Sequence, residues 1–243
     1  MKEDRLKVII LLGRPAAGKS EVIDYLKKVP ETERFKRFHI GKFEEIDDFP
    51  MLWAWFEEDE ILAKVLEKPR MHTDKDGYFL SGYQWHLLIE RIGLDYAKKL
   101  RDNPDYHRDV TCLVEFSRGS EHGGYREAFQ HLSGEILKNA GIVYINVSYE
   151  ESKRKNRRRF NPEKPDSILE HGLPDEKLDR LYKEIDWEEV SSVHPGYIEI
   201  KGYRVPYVIF QNEPEITDKP AKLGRHLEEV LQKLKKLRDK YSE

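Results

Sequence analysis

The chain of 243 residues has one cysteine, Cys112, only three methionines, and no apolar run near the ~18 residues needed to span a bilayer. A single thiol rules out an intrachain disulfide and any cysteine-based metal site. Its place in the apolar run Thr111-Cys112-Leu113-Val114 marks it as a core residue. Met1-Lys2-Glu3-Asp4-Arg5 leads straight into the first apolar segment with no apolar leader before it, which predicts a cytoplasmic protein without a membrane partner. Charge of one sign is lacking too. The 43 Lys and Arg nearly balance the 46 Asp and Glu, leaving a net charge of −3 and no global field toward nucleic acid or membrane.

Against this even background one segment stands out. Gly13-Arg14-Pro15-Ala16-Ala17-Gly18-Lys19-Ser20 satisfies G-x-x-x-x-G-K-[ST] at every fixed position and follows the apolar run Leu6-Lys7-Val8-Ile9-Ile10-Leu11-Leu12. Val22, Ile23, Leu26 and Val29 then recur at helical spacing until Pro30 closes the segment. A strand, a tight glycine loop and a helix in that order expose backbone N–H groups and a helix N-terminus to phosphate oxygens. Lys19 would reach the β- and γ-phosphates of ATP, and the Ser20 hydroxyl would bind Mg²⁺. The loop residues Gly13 to Ser20 are the candidate nucleotide site.

Further along, Arg34 to Ile40 reads as a second short strand, with Glu44, Glu45, Asp47 and Asp48 gathered where it would end. Acids outside the carboxyl end of a sheet strand are placed to hold a substrate hydroxyl or take its proton. Asp48 ahead of Pro50 also reads as a helix start. Residues 49 to 108 carry two helical patterns, around Leu52 to Leu66 and Trp85 to Leu100, joined by a turn at Thr73 to Tyr78. Trp53, Trp55, Tyr83 and Trp85 there serve as core or as a stacking surface. Asp109 to Phe116 is a third strand ending in Glu115, the Walker B pattern with Glu as its acid, which makes Glu115 a metal-shell and catalytic candidate. Arg118 in the following Gly-rich loop could hold an anionic acceptor or a transferring phosphoryl group. One helix is expected through Ala128 to Leu137 and a fourth strand at Gly141 to Val147.

Six of the seven residues from Lys153 to Arg159 are cationic, with Arg154, Arg157 and Arg158 at i, i+3 and i+4. Residues 161 to 195 are polar and broken by prolines, and include His171. A hairpin at 197 to 210, the Gln211-Asn212 turn and a leucine-striped helix from Leu223 to Leu237 follow.

On its loop the chain resembles the P-loop NTPases, and in the order of its other segments the nucleoside, nucleotide and small-molecule kinases among them. The resemblance implies a three-layer α/β fold with a mainly parallel, five-stranded kinase-like sheet in a single domain, 1–243. It also implies a helical substrate-covering insertion at about 49–108 and an arginine-rich lid at about 151–195. By the same resemblance Glu44, Glu45 or Asp47 with Arg118 would bind the acceptor, Arg154, Arg157 and Arg158 would close over the phosphates, and Asn212 would border the adenine. The reaction implied is Mg²⁺-dependent transfer of the ATP γ-phosphoryl group to a small molecule. The alternative is an NTPase or polynucleotide kinase that uses residues 153–159 on phosphate backbones. No Asn-Lys-x-Asp run for guanine recognition follows the late strands, and nothing in the sequence speaks to oligomeric state.

Overall fold

The computed structural model describes residues 4–159, 163 and 172–241. Among them six strands form one sheet in the order β2-β3-β1-β4-β6-β5: β1 (Val8–Gly13), β2 (Lys42–Asp47), β3 (Val110–Phe116), β4 (Ala140–Asn146), β5 (Tyr197–Ile200) and β6 (Tyr203–Gln211). The first five in that order are parallel. β5 joins as an antiparallel edge through the predicted hairpin, giving six strands where five were expected.

Period-two alternation divides the core between the two sheet faces. Val8, Ile10, Leu12, Val114 and Tyr144 face one hydrophobic cluster. It is closed by α4 (Tyr83–Asp102), α6 (Gly124–His131), α7 (Gly134–Asn139) and α10 (Trp187–Ser191). Ile9, Leu11, Leu113, Val143 and Phe210 face the other, under α1 (Lys19–Lys28), α2 (Glu31–Phe38) and α11 (Pro220–Tyr241). The leucine stripe of α11 is core packing, with Leu223, Leu227 and Leu234 at most 2% exposed. The three-layer α/β expectation therefore holds.

Two local readings are corrected. Residues 34–40, expected as a strand, lie in α2 and its end. From the helix, the buried Arg34 guanidinium donates to the carbonyls of Leu26 and Val29 at the end of α1 and to Gly41. His39 at φ 58° then turns the chain into β2. The single helix expected over 128–137 is two, because Ser133 caps α7 by accepting the Ile136 amide.

The insertion comprises α3 (Phe49–Lys64), a turn closed by a Thr73–Phe79 bridge, and α4; α5 (Tyr106–Asp109) leads into β3. After β4 come α8 (Tyr149–Arg159) and α9 (Asp175–Tyr182). His171 and most of the chain between α8 and α9 lie outside the described residues, so the expected lid is described only at its ends. Among the described residues no helix is long and apolar enough to cross a membrane.

Candidate functional site

The phosphate loop leaves β1 at the sheet centre, where the chain turns at Gly13 (φ 152°) and again at Gly18 (φ 119°), the residue that caps α1. A Cβ on Gly18 would lie 2.7 Å from the Asn212 amide nitrogen. Asn212 is fully buried. Its amide donates to the Ala17 carbonyl and Thr217 hydroxyl, and its oxygen accepts from the Ile216 and Thr217 amides. Asn212, expected at the adenine, braces the glycine loop from behind.

Lys19 is buried and aimed across the carboxyl ends of β1 and β3. Its ammonium donates to the Ser117 hydroxyl at 2.8 Å and to the Arg14 carbonyl at 3.2 Å, and lies 3.8 Å from Glu115. Ser117 in turn donates to the Gly13 carbonyl, so the loop after β3 sets the lysine's direction. Arg14 turns away from the phosphate side, its guanidinium donating to the Tyr182 and Lys183 carbonyls at the end of α9. Pro15, Ala16, Gly18, Lys19 and Ser20 line the floor of a cavity of about 1200 Å³.

β2 pairs with β3 so that Asp47 stands opposite Glu115. Both line the cavity. Burial, with the charges of Asp48 and Glu115 added, pushes the Asp47 carboxyl up to about 8, although the Phe49 amide donating to it works the other way. Burial also raises Glu115, against the pull of Lys19. Of the other acids in this group, Glu45 lines the cavity margin paired with Lys27. Glu44 sits away from the cavity, accepting from Lys99 and Tyr106. Asp48 starts α3 as read, but its carboxylate is given to Arg118.

Arg118 is 2% exposed. It donates to Asp48 at 2.6 Å and to the carbonyls of Ser117 and Trp85, with the Trp85 ring 5.2 Å away. Offered in the sequence as an anion holder, it has all these partners within the chain. The basic segment is handled the same way. Arg154 and Arg158 share Glu215, Arg154 also pairs with Glu151, Arg157 pairs with Asp175, and Lys153 with Asp179. Burial pushes Glu215 up, but hydrogen bonds from Arg158, Lys155 and Arg154 prevail and hold it down to about 2. None of Arg154, Arg157 and Arg158 lines the cavity, whereas Arg159, Lys177 and Arg180 do. The last two, at i and i+3 on α9, were legible as a helical pair but carried no motif.

Opposite the phosphate loop the cavity is aromatic. Trp53 and Phe56 of α3, Tyr78 and Phe79 of the insertion turn, and Trp85 of α4 line it, while Trp55 is buried behind and Tyr83 is 66% exposed. The turn is fastened by Asp59, a buried acid of α3 that the sequence did not single out. Asp59 accepts from the Met71, His72 and Thr73 amides and the Thr73 hydroxyl at 2.6–3.0 Å.

A phosphate loop after the central strand of a sheet ordered β2-β3-β1-β4-β6, with an acid ending the neighbouring β3, is the P-loop kinase-like arrangement. The α/β, mostly parallel sheet of this chain is consistent with that arrangement. No protein-family model and no curated protein matches it. Among solved structures it is similar to an unliganded sugar kinase from Janibacter sp. HTCC2649, at 10% identity over 95% of this chain and 97% of that one, TM-score 0.44. A protein described as APE1195 matches at 14% identity over 94% of this chain and 98% of that one, TM-score 0.40. Shikimate kinase from Acinetobacter baumannii in complex with shikimate matches at 16% identity over 73% and 74% of the two chains, TM-score 0.35.

The donors gathered here are hard oxygens, the Ser20 hydroxyl and the Glu115 carboxylate. Such a set suits Mg²⁺, which keeps one or two protein carboxylates and takes its remaining ligands from phosphates and water. Among the described residues no group of three or more His, Cys, Asp or Glu is arranged to hold a metal by itself.

Proposed function

We propose that the protein, residues 1–243 acting as one kinase-like domain, transfers the γ-phosphoryl group of Mg-ATP to the hydroxyl of a small molecule. The observation that carries this reading is the meeting of Lys19, Ser20, Asp47 and Glu115 at the floor of a cavity whose far end is aromatic and apolar. Backbone N–H groups of the loop hold the phosphates, and Lys19 stands where negative charge builds up on the transferring group. Ser20 and Glu115 hold the Mg²⁺ shell, and that ion neutralises the phosphate oxygens when bound. Asp47 takes the proton from the acceptor hydroxyl as its oxygen forms the new bond to phosphorus and the bond to the leaving diphosphate breaks. Its raised affinity for protons suits a base working near neutral pH.

Nucleic-acid use is the weaker reading, because Lys153, Arg154, Arg157 and Arg158 are matched by acids within the chain. Incubation of a pooled library of nucleosides, nucleotides, sugars and hydroxy acids with Mg-ATP, read by mass spectrometry beside Lys19→Ala, tests the proposal. A phosphorylated product that appears only with the native protein supports it. ATP consumption with no modified acceptor would sink it.

Asp47→Asn should lower turnover by about 100-fold or more while raising stability at alkaline pH. The folded carboxyl keeps its proton to about pH 8, whereas the unfolded one loses it near 3.8. Between those values the native state binds more protons, so native stability falls as pH rises, and the amide removes that slope. Thermal unfolding at pH 8 should therefore show the variant melting higher, by roughly 2–4 °C if about 1 kcal/mol is recovered. An equal or lower melting point at pH 8 would refute this account of Asp47.

A further inference from the structure

The far end of the cavity narrows the kind of acceptor. Among the described residues its polar side chains are largely consumed by one another: Arg118 by Asp48, Arg180 by Glu121 at 2.8 Å, and Glu60 by Lys64 and Arg70. Lys177 donates to the Gly77 carbonyl, and burial lowers its proton affinity. A polyol needs many uncommitted donors and acceptors, and a phosphate or carboxylate needs an unpaired guanidinium; the pairing above favours neither.

Rings remain as the main recognition surface. Phe79 meets the Trp85 ring edge-on at 4.7 Å and stacks on Phe56 at 6.1 Å, while Trp53 packs against Phe49 at 5.8 Å. His122 covers Trp85 at 3.7 Å. Burial, with Arg118 nearby, drives His122 down to about 3, so it adds a ring and no charge at neutral pH. These rings hold one another in place, so a flat ligand would lose little free energy to ordering them. The cavity, at about 1200 Å³, exceeds the usual range for one ligand and has room for a nucleotide and a second molecule together.

We propose that the acceptor is a neutral alcohol bearing a flat, base-sized ring, of the nucleoside class, that stacks on Trp53 and the neighbouring rings and presents its hydroxyl to Asp47. This rests on the phosphotransfer reading above.

The test is calorimetric titration of the native protein with adenosine, guanosine, cytidine and thymidine, beside their 5′-monophosphates, glucose and gluconate. Mg-ADP binding is measured separately. At least one nucleoside should bind ten times more tightly than its monophosphate and than either sugar compound. Trp53→Ala should weaken it about tenfold, Trp53→Phe should restore it, and Mg-ADP affinity should stay within twofold in both variants. Trp53 is only partly buried, so the fold should tolerate both changes. Tighter binding of a sugar or a monophosphate, no nucleoside binding while Mg-ADP binds, or a Trp53→Ala protein that binds nucleoside normally would each overturn the proposal. Failure of Mg-ADP itself to bind would instead remove the phosphotransfer reading, and this proposal with it.

Discussion

On the proposed function, replacing Lys19 by alanine should cut the rate of phosphoryl transfer by about a thousandfold while moving the melting temperature by no more than a few degrees. Donors of this kind, fixed before the reaction at the place where charge develops, are worth about 100- to 1000-fold each. Lys19 also lies 3.8 Å from Glu115, and Ser117 with the Arg14 carbonyl fixes its direction. The fold should survive because Glu115, already pushed toward its neutral form by burial, can take up a proton when its counter-charge is removed. Single-turnover assays with labelled ATP, beside thermal unfolding, separate the two effects. A variant with more than a tenth of native activity would show that the loop does not act on phosphate, and a variant that failed to fold would show a chiefly structural lysine.

Asp59→Ala should be the most destabilising single change in the insertion, by about 3–5 kcal/mol. The substitution takes the acceptor from the buried Thr73 amide and hydroxyl and from the partly buried Met71 and His72 amides, and buried groups stranded in this way cost about 1–3 kcal/mol each before relaxation. Burial raises the Asp59 carboxyl, but hydrogen bonds from the Met71 amide and from Thr73 outweigh it and hold it below its ordinary 3.8. The stabilisation is therefore complete above pH 4 and fades as pH falls through the lower, folded value. Urea unfolding of native and Asp59→Asn proteins should show a gap at pH 7 that narrows toward pH 3. Hydrogen exchange at residues 71–73 should accelerate in the variant. On the proposed function the acceptor KM should rise while the ATP KM holds, since the loosened turn carries Tyr78 and Phe79 and leaves the phosphate loop intact. A gap that stays constant with pH would remove Asp59 from this role.

The phosphate loop, the strand before it and the helix after it were legible because each rests on a local pattern. Four fixed residues, an apolar run and a 3.6-residue period all fall within about 25 residues of one another. The apolar runs of β3 and β4 were equally plain, since central strands are buried on both faces. β2 was misplaced for the converse reason. It lies at the sheet edge, so Lys42, Glu44 and Glu45 remain exposed and no apolar run marks it, while Phe35 and Phe38 just before it imitate a strand within a helix.

The sequence alone determined the fold class, the position of the candidate phosphate site and the acid at the end of β3. Only the tertiary structure decided what the polar side chains do with one another. Arg118 finds Asp48 across 70 residues, Arg154 and Arg158 find Glu215 across about 60, and Asn212 reaches under Gly18 from the far end of the chain. It also decided that Asp47 faces the cavity while Glu44, three residues earlier, does not, because alternate residues of a strand point to opposite sides. Backbone preferences act over a few residues and leave a periodic trace in the sequence. Ion pairs and buried hydrogen bonds are set by which strands lie side by side, and that order leaves no trace at the residues it brings together.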